Sequence, residues 1–206
     1  MGEGKESNEF LITRHSQFII PINIINVYGE QENRTSASDL KDNWNEIVEE
    51  MLKIEAKGEH VMLIGDFNKH IGNVIPNNHD RVTAGGKLVR DLLESDQYIL
   101  LNGSPKEVDG PFTREDPSDP KNNQKKSVLD LIIISKGLYK YVESLTIDKY
   151  RKFTPCHSIN KSRTVYPDHY ALLLKMKNIP KQKEKPKKAP KKIIWNTNVP
   201  DGWKKY

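Results

Sequence analysis

Val61-Met62-Leu63-Ile64-Gly65-Asp66-Phe67-Asn68 is an unbroken apolar run closed by a glycine, a carboxylate, an aromatic ring and an amide. An apolar segment this short, with no polar alternation, predicts a strand covered on both faces inside a sheet. Asp66 and Asn68 stand two residues apart at its end, so both can point out of the sheet edge into one cleft. There a carboxylate can ligate a hard divalent cation or accept a proton from water. The neighbouring amide can orient that water or a phosphate oxygen. Taken alone, the same residues also suit an ordinary Asp-x-Asn turn.

Outward from this strand the chain alternates strand and helix patterns. Residues 10–13 and 18–27 read as two strands of a hairpin, the second closing at Asn26-Val27-Tyr28-Gly29. Residues 39–56 place Leu40, Trp44, Ile47, Val48, Met51 and Ile54 on one helical face. Ser36 or Ser38 can cap that helix and Gly58 can end it. Residues 87–94 form a shorter helix with Leu88, Val89, Leu92 and Leu93 inward. Strands are predicted at 98–101, 112–114, 129–134, 142–147 and 170–176. Residues 115–123 and 151–165 are polar and read as loops. Thr83-Ala84-Gly85-Gly86 lacks the spacing and lysine of a phosphate-binding loop and reads as a plain turn.

His169 is the histidine best placed for proton work or for stabilising phosphate charge, because it opens the apolar run 170–174. A carboxylate bonded to one ring nitrogen would fix its tautomer and raise its basicity. Asp130, ahead of Leu131-Ile132-Ile133-Ile134-Ser135, can supply that bond from a neighbouring strand. Asp168 precedes His169, and on an extended strand the two would face opposite ways unless a turn intervenes. Tyr28 can donate to a phosphate oxygen or simply cap the core at its rim. His15, His60, His70, His79 and His157 have no comparable setting and read as structural.

The 206 residues suit one domain with a tail. Cys156 is the single cysteine, which excludes an intrachain disulfide, implies no disulfide-linked partner and fits a reducing, intracellular compartment. The first residues carry no apolar signal region, and the most apolar window, 18–27, is broken by Pro21, Asn23 and Asn26. No membrane partner is expected. The net charge of +5 is concentrated in residues 181–192, where seven lysines face one glutamate, so the rest of the chain is close to neutral. Lys187, Lys188, Lys191 and Lys192 form the densest part of a run suited to nucleic acid, an import receptor or plain solvation. The expected organisation is a flexible segment 1–9, a domain 10–178, and an extended or disordered lysine-rich tail 179–206.

Taken together, Asn26-Val27-Tyr28, Gly65-Asp66-Phe67-Asn68, Asp130 within 127–135, and Asp168-His169 resemble the endonuclease/exonuclease/phosphatase superfamily. Closest in style are the apurinic-like endonuclease domains of non-LTR (LINE-type) retrotransposons. The resemblance covers residues 10–178. It implies an α/β fold, a partial four-layer sandwich of two mostly antiparallel sheets flanked by helices. It also implies hydrolysis of DNA phosphodiester bonds with Mg²⁺, or with Mn²⁺ in its place. On this pattern Asp66 activates water with Asn68 beside it, and Asp168 sits near the metal. His169 contacts the scissile phosphate, oriented by Asp130, and Tyr28 touches the phosphate.

Members of that family begin with a strand ending in asparagine and then one ending in glutamate, the principal metal ligand. Neither precedes Phe10, and Glu30 and Glu32 follow Tyr28, so the domain is expected to lack its first strands. The alternative function is an inactive retroelement remnant that binds nucleic acid through the basic tail. Nuclear import through 187–192 is a further expectation.

Overall fold

The computed structural model describes residues 5–6, 10–31, 34–75, 81–108, 110, 112–115, 126–153, 157–160, 163–165 and 167–183. In chain order the strands and helices are β1 (Lys5–Glu6), β2 (Phe10–His15), β3 (Ile22–Tyr28), α1 (Ala37–Glu55), β4 (His60–Asp66), α2 (Ala84–Glu94), β5 (Tyr98–Leu100), β6 (Glu107–Val108), β7 (Arg114–Glu115), β8 (Lys126–Ser127), β9 (Asp130–Ser135), β10 (Val142–Ile147), β11 (His157–Asn160), β12 (Arg163–Val165) and β13 (Leu172–Met176). Six strands form one sheet in the order β1-β2-β3-β4-β9-β5, and β13-β10-β6 form a second. Pairing is antiparallel except between β3 and β4 and between β10 and β6.

The large sheet is buried on both faces, and its sequence shows why. Along β4 and β9 successive apolar side chains alternate between two cores. Val61, Leu63, Leu131 and Ile133 join Ile47 and Met51 of α1 and Val89 of α2 on the helical side. Met62, Ile132 and Ile134 join Leu138, Val142 and Leu145 on the side of the small sheet. Two sheets packed together, with helices on the outer face of the larger, make the α/β sandwich that the family resemblance implies. Each buried aliphatic side chain contributes about 1.5–3 kcal/mol. No helix among the described residues is long and apolar enough to cross a membrane.

Helix α1 starts two residues before the expected 39, capped by the first of the two candidate serines. Ser36 is the N-cap, its Oγ accepting from Asp39 N at 3.1 Å, and Gly58 adopts φ 72° beyond the C-terminus. Several boundaries differ from expectation. The second hairpin strand starts at Ile22 rather than 18, because Pro21 has no N–H to give a ladder. Before it, Phe18 pairs with Lys181 and Ile19 N donates to Pro180 O at 2.9 Å. Residues 151–165 are not wholly irregular, since β11 and β12 pair as an antiparallel hairpin. That hairpin has too little apolar alternation to be visible in composition. Thr83-Ala84-Gly85-Gly86 is a helix start, not a plain turn: Thr83 caps α2, accepting from Gly86 N at 3.3 Å. A Cβ on Gly86 would lie 2.0 Å from His70 O, so glycine lets the helix end approach that backbone.

One surface ion pair ties β2 to the loop before β4. Arg14 Nη2 lies 2.6 Å from Glu59 Oε1, and Asn23 Nδ2 donates to Glu59 Oε2 at 2.9 Å. The Arg14 guanidinium holds the Glu59 carboxyl below its usual range. A carboxyl with a depressed folded-state pKa adds stability above its unfolded pKa and loses it as pH falls through the folded value. Glu59→Gln is therefore expected to cost at most about 1 kcal/mol at pH 7, since Arg14 is half exposed. The gap should close as urea melts are taken below about pH 4.

Candidate active site

The parallel pairing of β3 with β4 and the antiparallel pairing of β4 with β9 bring three chain ends to one sheet edge. Tyr28 stands opposite Asp66, and Asp66 stands opposite Asp130. Two carboxylates directly across a ladder repel each other unless a cation or proton intervenes. His169 lies against both. Its Nδ1 is 2.9 Å from Asp130 Oδ2, and its Nε2 is 3.9 Å from Asp66 Oδ2. The carboxylate acceptor places a proton on Nδ1 and leaves Nε2 facing Asp66.

The electrostatics follow from this packing. Hydrogen bonding to Asp130 raises the His169 pKa above its ordinary value against the opposing effect of burial; Asp66 and Asp168 add to the rise. Burial raises the Asp66 carboxyl, and Asp130 pushes it further in the same direction. The Asn68 N–H, His169 and Arg114 work against that. The ligand atoms of Asp66, Asp130 and His169 all lie within 4.8 Å of one another.

Each member is braced by backbone. Gly65 adopts φ 131°, and a Cβ there would sit 2.0 Å from Val27 O, so the strand can turn Asp66 toward the edge only with glycine before it. Asp66 Oδ1 accepts from Asn68 N at 2.9 Å, and Asn68, at φ 50°, donates Nδ2 to Gly29 O at 2.7 Å. Asn68 is thus beside Asp66, with its amide nitrogen tying the β3 end to the β4 end and its amide oxygen left to face other groups. Tyr28 is 69% exposed on the rim of this edge.

Asp168 lies next to the cluster rather than in it. Arg114 Nε donates to Asp168 Oδ2 at 2.9 Å, with both side chains well exposed. Arg114 pairs with His169 across an isolated bridge, and Glu115 N donates to Asp168 O at 2.9 Å. Residue 168 is a bend, which provides the turn needed for Asp168 and His169 to face the same region. Lys187, Lys188, Lys191 and Lys192 lie outside the described residues.

Two buried polar side chains absent from the sequence reading hold Asp130 in place. Thr113 Oγ1 accepts from both Leu129 N and Asp130 N at 3.0 Å, and Thr113 O accepts from Tyr170 N at 2.7 Å. Thr113 thereby links the residue after His169 to the strand that carries Asp130. Asn102 Nδ2 donates to Asp130 O at 3.1 Å while its Oδ1 accepts from Ile132 N at 2.9 Å. Both lie in turns or bends outside the named strands, where a single polar residue carries no motif. Thr113→Val strands two buried N–H groups. It is expected to cost about 1–3 kcal/mol in a urea melt, with a loss of whatever activity depends on Asp130.

The donor set suits a hard dication. Mg²⁺ is typically held by one or two carboxylates, with water and substrate phosphate completing its shell. Asp66 and the second oxygen of Asp130 offer that, and a cation would relieve the repulsion between the facing carboxylates.

No family model matches the sequence, and no curated protein sequence is significantly similar to it. The fold does have solved counterparts. The catalytic domain of Xenopus laevis APE2 aligns with a TM-score of 0.61 at 16% identity, over 87% of this chain and 58% of that one. The 3′ phosphatase NExo from Neisseria, bound to a product DNA hairpin, aligns at 0.54 and 16% identity over 84% of this chain and 66% of that one. An endonuclease/exonuclease/phosphatase family protein from Leptotrichia buccalis aligns at 0.50 and 17%, over 82% and 54%. The chain therefore has the α/β sandwich of endonuclease/exonuclease/phosphatase proteins, and it spans less than two thirds of the length of each of these three.

Proposed function

We propose that this chain is a metal-dependent phosphodiesterase that hydrolyses DNA, and that it derives from a non-LTR retrotransposon. The observation that carries the chemistry is the Asp66–His169–Asp130 cluster at one sheet edge. Asp130 holds the proton on His169 Nδ1 and favours the imidazolium, which stabilises negative charge developing on a phosphate at Nε2. Asp66, at the strand end facing His169, is the residue that positions the attacking water and takes its proton. The amide oxygen of Asn68 aids that water, and the Tyr28 phenol donates to a phosphate oxygen from the rim. A Mg²⁺ or Mn²⁺ ion held by Asp66 and Asp130, with Asp168 near it, would polarise the phosphoryl group. The order of the motifs and the lysine-rich run 181–192 support the retroelement origin, and that run suits contact with DNA in the nucleus.

A specific observation favours a second reading. Among the described residues, no glutamate belongs to the acidic cluster, as the principal metal ligand of the resembled family would. In that reading the chain is inactive and binds nucleic acid through its tail.

End-labelled duplex DNA incubated with the full chain and Mg²⁺ separates the two. The enzyme predicts metal-dependent internal cleavage. Turnover of a soluble sugar phosphate with the DNA left intact would overturn the DNA assignment, and binding without cleavage would favour the inactive form.

A further inference from the structure

The five residues Lys149-Tyr150-Arg151-Lys152-Phe153 join three cations to two aromatic rings directly after β10. None of them belongs to the cluster just described. Tyr150 is 66% and Phe153 65% exposed, so both rings face solvent. Lys149 Nζ and Lys152 Nζ lie 5.0 Å and 5.6 Å from the centre of the Tyr150 ring. Lys149, Lys152 and Tyr150 thus form one outward-facing group, with the exposed Phe153 ring next in the chain.

The loop that presents them is held firmly. Buried Asp148 accepts from Lys152 N and from Phe153 N, each at 2.7 Å. Arg151 adopts φ 52°, its N donating to Asp148 O at 2.8 Å. Its side chain turns inward, donating to Pro167 O at 2.5 Å, meeting Glu115 at 3.4 Å and covering the Tyr170 ring at 4.6 Å. Asp148 N donates to Ala171 O at 2.9 Å. The loop base is therefore fastened on both sides of His169, to residues 167 and 171. These bonds fix the backbone of the loop to the segment that carries His169.

We propose that residues 148–153 are a DNA-docking loop, with Tyr150 and Phe153 stacking a nucleobase beside the scissile phosphodiester and Lys149 and Lys152 holding the adjoining phosphates. Exposed aromatics interleaved with cations are the means by which proteins hold unstacked bases without reading sequence. Docking a base on Tyr150 displaces a lysine from the ring toward the backbone phosphate. Because Arg151 fixes the loop to Pro167, the held strand is placed relative to His169. This inference rests on the DNA phosphodiesterase reading for its substrate.

The test is anisotropy of labelled DNA with an unpaired end, titrated with the full chain in Mg²⁺-free buffer. Wild type is compared with Tyr150→Ala/Phe153→Ala and with Lys149→Ala/Lys152→Ala, after thermal melts show that these exposed changes leave the fold intact. The aromatic pair is expected to weaken binding about 5- to 100-fold with an unchanged salt slope. The lysine pair is expected to make the slope of log affinity against log salt shallower by about 1.4–1.8. Hydrolysis of bis(p-nitrophenyl) phosphate, which carries no flanking nucleotides, should be the same in all three. Unchanged affinity and slope in both variants would overturn the loop assignment, leaving the tail as the DNA contact. Loop-dependent binding by a wild-type chain that hydrolyses neither substrate would support the loop and overturn the catalytic reading.

Discussion

Replacing His169 by alanine is expected to lower the rate of DNA cleavage by about 10²- to 10⁴-fold, the range for loss of a positioned proton-transfer or charge-stabilising group. Affinity for DNA should change little, because the contacts that hold the strand lie elsewhere. Asp130→Asn is a gentler probe of the same pair. It keeps the shape and the Thr113 and Asn102 braces but removes the carboxylate that faces His169 Nδ1 at 2.9 Å. The loss should be about 10- to 100-fold, as for other residues that orient a working imidazole. The direction of the pH effect follows from the raised His169 pKa, whose largest cause is that hydrogen bond. In the wild type the imidazolium persists to higher pH than in a free histidine. With asparagine at 130 it deprotonates earlier, so the alkaline limb of the pH–rate profile should move to lower pH. Rates measured across pH under single-turnover conditions give both quantities. An Asp130→Asn profile with an unmoved alkaline limb would separate His169 from the charge-stabilising role.

The largest structural effect is expected at Gly65. Any side chain there meets Val27 O at 2.0 Å and adopts φ 131°, a conformation that L residues rarely reach. Backbone strain of this kind costs about 1–3 kcal/mol by itself. The collision is with a carbonyl locked in the β3–β4 ladder, which cannot give way without breaking the central pairing. Gly65→Val is therefore expected to lose more than about 4 kcal/mol, most of the stability of a domain at the low end of the usual range. Gly65→Ala should be nearly as severe. Circular dichroism and a urea melt check this. A folded Gly65→Val chain with a normal midpoint would mean that the turn at the strand end can relax.

Much of this site is legible from residues alone because it is written in strand ends. The run 61–64 can only be a covered strand, so Asp66 must emerge at its edge. The run 131–134 places Asp130 at the start of a second covered strand. His169 opens a third apolar run, and three such ends meet when the strands assemble into a sandwich. What joins them is not legible. Thr113 and Asn102 act through backbone atoms of distant strands, and that depends on register rather than on side-chain pattern. Arg114 closes a predicted strand and Arg151 opens a polar loop, with nothing in the sequence to show that both reach back to the segment around His169. The hairpin β11–β12 and the two-residue strands β6 and β8 have no periodicity long enough to detect. Thr83 reads as a turn because the glycines that follow it usually end helices. Here they start one, since the helix must lie close against His70 O.

The most direct measurement is nicking of supercoiled plasmid by the purified full chain, with and without Mg²⁺, beside His169→Ala. Relaxed circles are expected to appear only with the metal and only with His169 in place. A folded wild-type chain that leaves the plasmid supercoiled in Mg²⁺, or a His169→Ala chain that nicks as fast as wild type, would contradict it.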